Sequence, residues 1–247
     1  MTHYARLDQL KQKLDSFRPL PPETVAGLHE DIALRWTYHS NAIEGNTLTL
    51  KETKVVLEGV TIGGKTMREH FEVINHRQAI GFVEEIAKKE EPLSEWRIKS
   101  IHQLVLKNID DPNAGVWRRC NVVISGADHT PPDFTQVPSE MERLIEWHGR
   151  EGQKRHPVER AARLHADFVK IHPFVDGNGR TARLLMNFDL MKDGFPPAVL
   201  GVEKRLEYYE SLDTAHTTGD YGPFLSLMAG VVEDGFKPYR RVLGIDI

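Results

Sequence analysis

Cysteine is nearly absent from this chain of 247 residues: Cys120 stands alone, so no intramolecular disulfide can form and no thiolate-based zinc site can be assembled. Excess charge of one sign is missing too. Thirty-two basic residues against thirty-six acidic ones leave a net charge of -4, which excludes the broad positive field by which proteins hold nucleic acid, so any anion site has to be local. No apolar run approaches the ~20 residues of a membrane span, and the opening MTHYARLDQLKQKLDSF lacks the continuous apolar stretch of a signal peptide. Lone cysteine, missing span and missing leader together imply a cytoplasmic protein, with neither membrane nor nucleic acid as partner. Twelve histidines are present, but no HExxH spacing joins any of them into a hydrolase metal site.

What is present is a composition of 40% hydrophobic and 28% charged residues, that of an ordinary folded chain. Apolar residues recur at steps of three and four, as in Ile98, Ile101, Leu104 and Val105, and in Leu184, Leu185, Phe188 and Met191. That period predicts an all-α fold. The exception is VWRRCNVVISGADHTPP, residues 116–132, where a Val/Ile-rich run meets Ser125-Gly126 and then Pro131-Pro132; this pattern predicts a short β-hairpin flap. Breaks at 18–22, 112–115 and 149–157 are short enough to be loops within one domain. We therefore expect a single domain over 1–247, with N-terminal helices over 1–60, a core over 61–235 and a C-terminal tail over 236–247.

The densest chemistry lies between His172 and Arg183, HPFVDGNGRTAR. Ala161, Leu164, His165, Phe168 and His172 fall at helical spacing, so His172 emerges at the end of an inward-packing helix that Pro173 stops. Asp176-Gly177-Asn178-Gly179 are residue types that tolerate the positive φ values of an anion-binding nest. A second helix starts directly behind them, and its N-terminal N–H groups add to the cradle. Arg180 and Arg183, three apart, crowd two cations onto a helix start, which is unfavourable unless an anion meets them. Asp176 offers a hard oxygen for Mg²⁺, and His172 a base near neutral pH.

Upstream, SNAIEGN (40–46) ends a helical stretch over about 28–45, with Gly45 as its stop and Glu44 in its last turn, where a carboxylate faces the negative end of the helix dipole. One decoy needs an answer. Residues 59–66 satisfy G-x-x-x-x-G-K-[ST], the phosphate loop of NTPases, but Thr49 and Glu52 stand at capping-box spacing and predict a helix before it, where that loop requires a strand.

HPFVDGNGRTAR matches every defining position of HPFx(D/E)GNGRxxR, and the chain thereby resembles the Fic (Fido) family from about Arg35 to Met228. The resemblance implies a helical core with a β-hairpin flap and a protein adenylyltransferase that moves AMP from ATP to a Ser, Thr or Tyr hydroxyl of a target protein. His172 would deprotonate the hydroxyl and Asp176 would hold Mg²⁺. Gly177, Asn178 and Gly179 would form the anion hole, with Arg180 and Arg183 on the β- and γ-phosphates. Glycine at 179 favours AMP transfer, since family kinases carry lysine there. Ser40, Glu44 and Gly45 match the inhibitory motif (S/T)xxxE(G/N), whose glutamate pairs with the second arginine, Arg183; the same glutamate in some members serves removal of AMP. Val122, Val123 and Ile124 would dock the target along the flap. Tyr209 and His216 occupy the adenine-side positions, where His216 stands in place of the usual asparagine and leaves transfer of another nucleotide such as UMP open. A homodimer is implied by the same analogy.

Overall fold

The structure, a computed structural model, describes residues 3–89 and 91–244. The first two residues of the expected N-terminal segment and the last three of the C-terminal one lie outside the described residues. Eleven α-helices follow one another along these residues: α1 (His3–Asp15), α2 (Pro22–Ile43), α3 (Leu50–Leu57), α4 (Met67–Lys88), α5 (Glu95–Leu106), α6 (Val137–Gly149), α7 (Pro157–Ile171), α8 (Asn178–Lys192), α9 (Arg205–Thr218), α10 (Gly222–Gly235) and α11 (Lys237–Leu243). The three-and-four periodicity is accounted for by α5 and α8. No strand is formed among the described residues, so the expected β-hairpin of residues 116–132 is not realised as a paired ladder.

Helix α8 sits at the centre. Residues on every side of it are buried, among them Thr181, Leu184, Leu185, Phe188 and Leu190, as a helix enclosed by neighbours requires. It packs against α7, α4, α5 and α2. Ala161, Ala162 and Ala166 on α7 present small side chains in the packed interior. Two apolar clusters then fill the two sides of this pair: one gathers Trp36, Ile80, Val83, Ile98, Phe168, Phe174 and Phe188, the other Leu14, Ile43, Met186, Phe195, Tyr208, Phe224 and Phe236.

A buried ion network fixes the register of α7 on α8. Arg160 Nε and Nη2 donate to Asp189 Oδ2 and Oδ1 at 2.8 and 3.1 Å, and His148 Nε2 lies 2.8 Å from Asp189 Oδ1. Burial raises the Asp189 pKa, but the His148 and Arg160 contacts outweigh it and hold the group below the ordinary carboxylate range. The fork-to-fork geometry ties the carboxylate in two directions at once.

The decoy at 59–66 is disposed of by its surroundings. The element before it is helix α3, whose capping box is complete, with Glu52 N–H donating to Thr49 Oγ1 and Thr49 N–H to Glu52 Oε2. Thr66 is the N-cap of α4 with a second such box to Glu69, and Lys65 Nζ donates to the carbonyl and hydroxyl of Thr47 at 2.6 and 2.9 Å. Neither the strand nor the free lysine of a phosphate loop is there.

Candidate active site

Helix α7 ends at His172, which takes left-handed backbone angles (φ 50°, ψ 59°) while its N–H still bonds Phe168 O at 3.0 Å. A non-glycine residue in that region stores about 1 kcal/mol of strain, so neighbouring bonds must hold it. Arg118 does. Its backbone N–H donates to Pro173 O and its Nε to His172 O, both at 2.9 Å, while Nη1 reaches Cys120 O at 3.0 Å and Nη2 reaches Pro132 O at 2.5 Å. One buried guanidinium thus joins the His172 turn to both ends of the 116–132 segment.

The loop that follows is pinned from two sides. Asn178 turns its amide inward, accepting from Phe174 N–H at 3.0 Å and donating to Phe174 O at 2.9 Å, so its side chain closes the loop and only its backbone can face an anion. His102 on α5 accepts from Gly115 N–H through Nδ1 at 2.9 Å, which leaves the proton on Nε2 to bond Asp176 O at 2.9 Å. Burial lowers its pKa to about 4, in keeping with that neutral tautomer, and the ring stacks on Phe174 with centroids 3.4 Å apart. Gly177 (φ 73°) is required twice over: a Cβ there would occupy the left-handed region and meet Val105 Cγ1 at 3.2 Å and His102 Nε2 at 3.3 Å.

Behind the loop begins α8, whose first N–H groups have no acceptor within the helix. Arg180 and Arg183, each 2% exposed, rise from the first two turns. Arg183 is fully engaged: Nε donates to Ser40 Oγ at 2.9 Å, and Nη2 donates to Ser40 O at 2.8 Å and Glu44 Oε1 at 2.6 Å. Burial opposes its charge, yet Glu44 and Tyr208 hold its pKa above the ordinary value. Arg180 is not. Nη2 reaches Asp176 Oδ1 at 3.3 Å and Nη1 lies 3.4 Å from Glu72 Oε1, while buried Nε and Nη1 make no hydrogen bond. Arg180 is thus ion-paired to two carboxylates, yet keeps hydrogen-bonding capacity that Arg183 has spent.

Asp176 accepts from Gly177 N–H at 2.5 Å and pairs with Arg68 of α4. Burial raises its pKa, but Arg180, the Gly177 N–H and Arg68 together bring it below the ordinary carboxylate range, so it is ionised at neutral pH. The His172 pKa also falls, but for the opposite reason: burial takes it down to about 4 against the opposing pull of the Val169 carbonyl, and the imidazole is neutral at pH 7.

The remaining expected residues are placed as follows. Gly45 (φ 98°) ends the Glu44 turn. Tyr209 on α9 donates its hydroxyl to Ile43 O at 3.1 Å, beside Glu44. His216 is buried, with Nε2 2.9 Å from Ala166 O, so that ring nitrogen faces α7 rather than open space. Val123 is 89% exposed, and Val122 and Ile124 on either side are half-buried, the alternation of an extended arm. The arms meet only at their base and through side chains: Arg118 takes Cys120 O and, across, Pro132 O, and Asn121 bonds Asp133 Oδ2 and Phe134 N–H, while the N–H groups of Asp128 and His129 go to Asp213 of α9 at 3.0 and 3.1 Å. That is why no ladder forms. Sequence reasoning missed Arg118, His102, Arg68 and Glu72, each brought to the site from a distant part of the chain.

Geometry alone defines the class: a helical protein whose central helix starts in a glycine turn, carries two buried arginines and has a neutral histidine beside it. The model of the Fic/DOC family matches residues 92–190. The chain is 40% identical over 208 residues to protein adenylyltransferase fic-1 of Caenorhabditis elegans, covering 83% of this chain and 40% of that one. It is 37% identical over 238 residues to protein adenylyltransferase Fic of Nematostella vectensis, covering 94% and 55%. Among solved structures, residues 134–508 of Fic-1 from C. elegans superpose with a TM-score of 0.87 at 35% identity over 98% of this chain and 71% of that one. A Fic domain containing signaling protein from Bacteroides thetaiotaomicron superposes with 0.88 at 30% identity over 97% of each. The chain belongs to the Fic/DOC family. It spans about half the length of the curated relatives it matches.

Proposed function

We propose that the chain is a protein adenylyltransferase restrained by its own Glu44. The observation that carries the reading is the contrast between the two arginines: buried Arg180 has N–H groups without acceptors, whereas Arg183 is fully taken by Ser40 and Glu44. A polyphosphate over the first turn of α8 satisfies the first and must compete for the second.

In this reading Glu44 supplies negative charge where a nucleotide phosphate belongs, and ATP binds productively only when the carboxylate leaves Arg183. His172, neutral at pH 7, accepts the proton of a target Ser, Thr or Tyr hydroxyl, whose oxygen attacks the α-phosphorus while pyrophosphate departs. The backbone N–H groups at Gly177–Gly179 and the two guanidinium groups stabilise the charge that builds on the phosphates. Mg²⁺ fits this site through Asp176. One ionised, part-exposed carboxylate suits an ion held otherwise by substrate phosphates and water, and no cluster of three protein ligands is found among the described residues. When bound, that ion neutralises phosphate charge; Asp176 must first release Arg68.

The target docks along 116–132, with exposed Val123 flanked by Val122 and Ile124. Tyr209 faces the base side, and His216 forms its floor through the ring rather than through an amide-like edge. The protein works in the cytoplasm as one domain; among the described residues no helix is long and apolar enough to cross a membrane. A homodimer and a reverse reaction that removes AMP complete the proposal.

Intact mass spectrometry of Glu44→Gly with ATP and Mg²⁺, alongside Glu44→Gly/His172→Ala, tests it. An AMP adduct that requires His172 is expected. A UMP adduct from UTP under the same conditions would move the activity to another nucleotide, and the absence of any adduct would refute the assignment.

A further inference from the structure

The segment 116–132 has no ladder of its own, yet it is held in place, and the holding is uneven. Its base is fastened by Arg118 to Cys120 O and Pro132 O. Its returning arm is fastened by different means. Two consecutive N–H groups, of Asp128 and His129, converge on a single oxygen, Asp213 Oδ1, at 3.0 and 3.1 Å. His129 Nε2 lies 2.9 Å from Lys170 O in the last turn of α7, and the His129 ring meets the edge of His216 with centroids 5.1 Å apart. Two helices are thereby gripped at once: α9, which carries Tyr209, Asp213 and His216, and α7, which ends in His172. Asn121 is tied to the base as well, through Asp133 Oδ2 and Phe134 N–H, so between base and latch 122–127 is left projecting, with Val123 89% exposed.

We infer that Asp213 is a positioning residue that latches the returning arm of the flap onto α9 and so presents residues 122–124 as a ready-made edge to a target polypeptide. The inference rests on the adenylyltransferase reading for its consequence, but the latch itself does not. A target segment that docks by main-chain bonds needs a partner already extended, because ordering the flap during binding would subtract from affinity. A carboxylate that accepts two adjacent N–H groups supplies that order without a paired strand, since charge-assisted bonds are the stronger kind. Ile124 O is taken by Ala127 N–H at 3.2 Å, which braces the tip of the flap, so the incoming chain is left the main-chain groups of Val122 and Val123. The nucleotide phosphates are served by other residues, on α8, so the latch should affect the polypeptide side alone.

Hydrogen exchange on Asp213→Ala and Asp213→Asn tests the latch directly. The peptide 126–132 contains two prolines, so the amides of Asp128 and His129 make up much of its signal. These should exchange about tenfold faster in Asp213→Ala and stay near the parent rate in Asp213→Asn, which keeps an acceptor oxygen. Unchanged exchange in Asp213→Ala overturns the latch. For the positioning role, the same changes are placed on Glu44→Gly, and intermolecular self-labelling by ATP is followed with ADP affinity measured by calorimetry. The labelling rate should fall on the order of tenfold in Asp213→Ala, with recovery in Asp213→Asn and ADP affinity within about twofold. Labelling that stays level while exchange rises, or ADP affinity that falls with labelling, overturns positioning of the target. Absence of adduct in the Glu44→Gly parent would instead sink the adenylyltransferase reading, and exchange would still decide the latch.

Discussion

Glu44 Oε1 lies 2.6 Å from Arg183 Nη2, and the same guanidinium is held by both the hydroxyl and the carbonyl of Ser40, one turn earlier on α2. Two residues at the end of α2, Ser40 and the capping Glu44, thus address a single arginine 143 and 139 positions further along the chain. Loss of the carboxylate leaves Ser40 to keep the guanidinium aligned while freeing it for phosphate. Calorimetry with ADP should show Glu44→Gly binding more tightly by on the order of tenfold, about 1.4 kcal/mol. Ser40→Ala in that background should weaken binding again.

Arg118 should be hard to replace. Lysine has one charged nitrogen where the guanidinium spreads three over His172 O, Cys120 O and Pro132 O. Arg118→Lys should lower labelling at least tenfold in the Glu44→Gly background. Arg118→Ala should in addition cost about 2–4 kcal/mol of stability in urea, because the stranded carbonyls and the left-handed His172 lose their donors.

Gly179 is a position at which an added methyl group would meet the site itself. A Cβ there would overlap Glu44 Oε1 and lie 3.1 Å from Arg183 Nη1. The place taken by the carboxylate is the place proposed for a phosphate. Gly179→Ala should therefore loosen Glu44 and yet block nucleotide, so that adding Glu44→Gly fails to restore labelling. Recovery of labelling in the double variant would contradict this geometry.

How far these features are legible in the amino-acid order depends on sequence distance. The cradle from His172 to Arg183 and its two helices are local, set by a proline stop, a glycine turn and apolar period, and all are where the order of residues puts them. Ser40, Glu44 and Arg183 were joined in advance through the family motif, and the structure brings them into contact. Arg118 and His102 escaped because a buried arginine in a loop and a histidine on an apolar helix face are common and usually structural; only their long-range partners, His172 O and Asp176 O, give them meaning. Asn178 carried the right position but a different use of its amide. The hairpin failed for a related reason: its Val/Ile run favours extension, and extension was achieved, but the bonds that would have closed a ladder were drawn off to Arg118 and Asp213.

Acid should unsettle the protein through its histidines. Burial lowers the pKa of His102, His172 and His216 to about 4, and that of His76 and His165 well below the ordinary value. The unfolded chain binds protons at these rings near pH 6.5 and the folded one does not, so stability rises with pH across this window and falls as pH drops below about 6.5. Urea midpoints followed by circular dichroism should decline from about pH 6 downward. Activity at saturating substrates should hold level to about pH 5, because His172 remains neutral there, and decline only as pH nears 4.

Asp189 offers a check on the core. Asp189→Ala leaves Arg160 only Asp193 and Gln153 and removes the partner of His148, and should cost about 3 kcal/mol by urea denaturation, whereas a buried ion pair replaced whole costs far less.

Helix α8 is enclosed on all sides, and its arginines share that confinement. In the proposed reading, the alternation between a closed and a receptive cradle therefore falls to the lighter party: Glu44, whose side chain is one-third exposed, with Gly45 behind it at φ 98°. On that reading the buried cation is the fixed contact and the carboxylate the moving one. Anything that pulls on the end of α2 acts as a key, while the lock itself stays still.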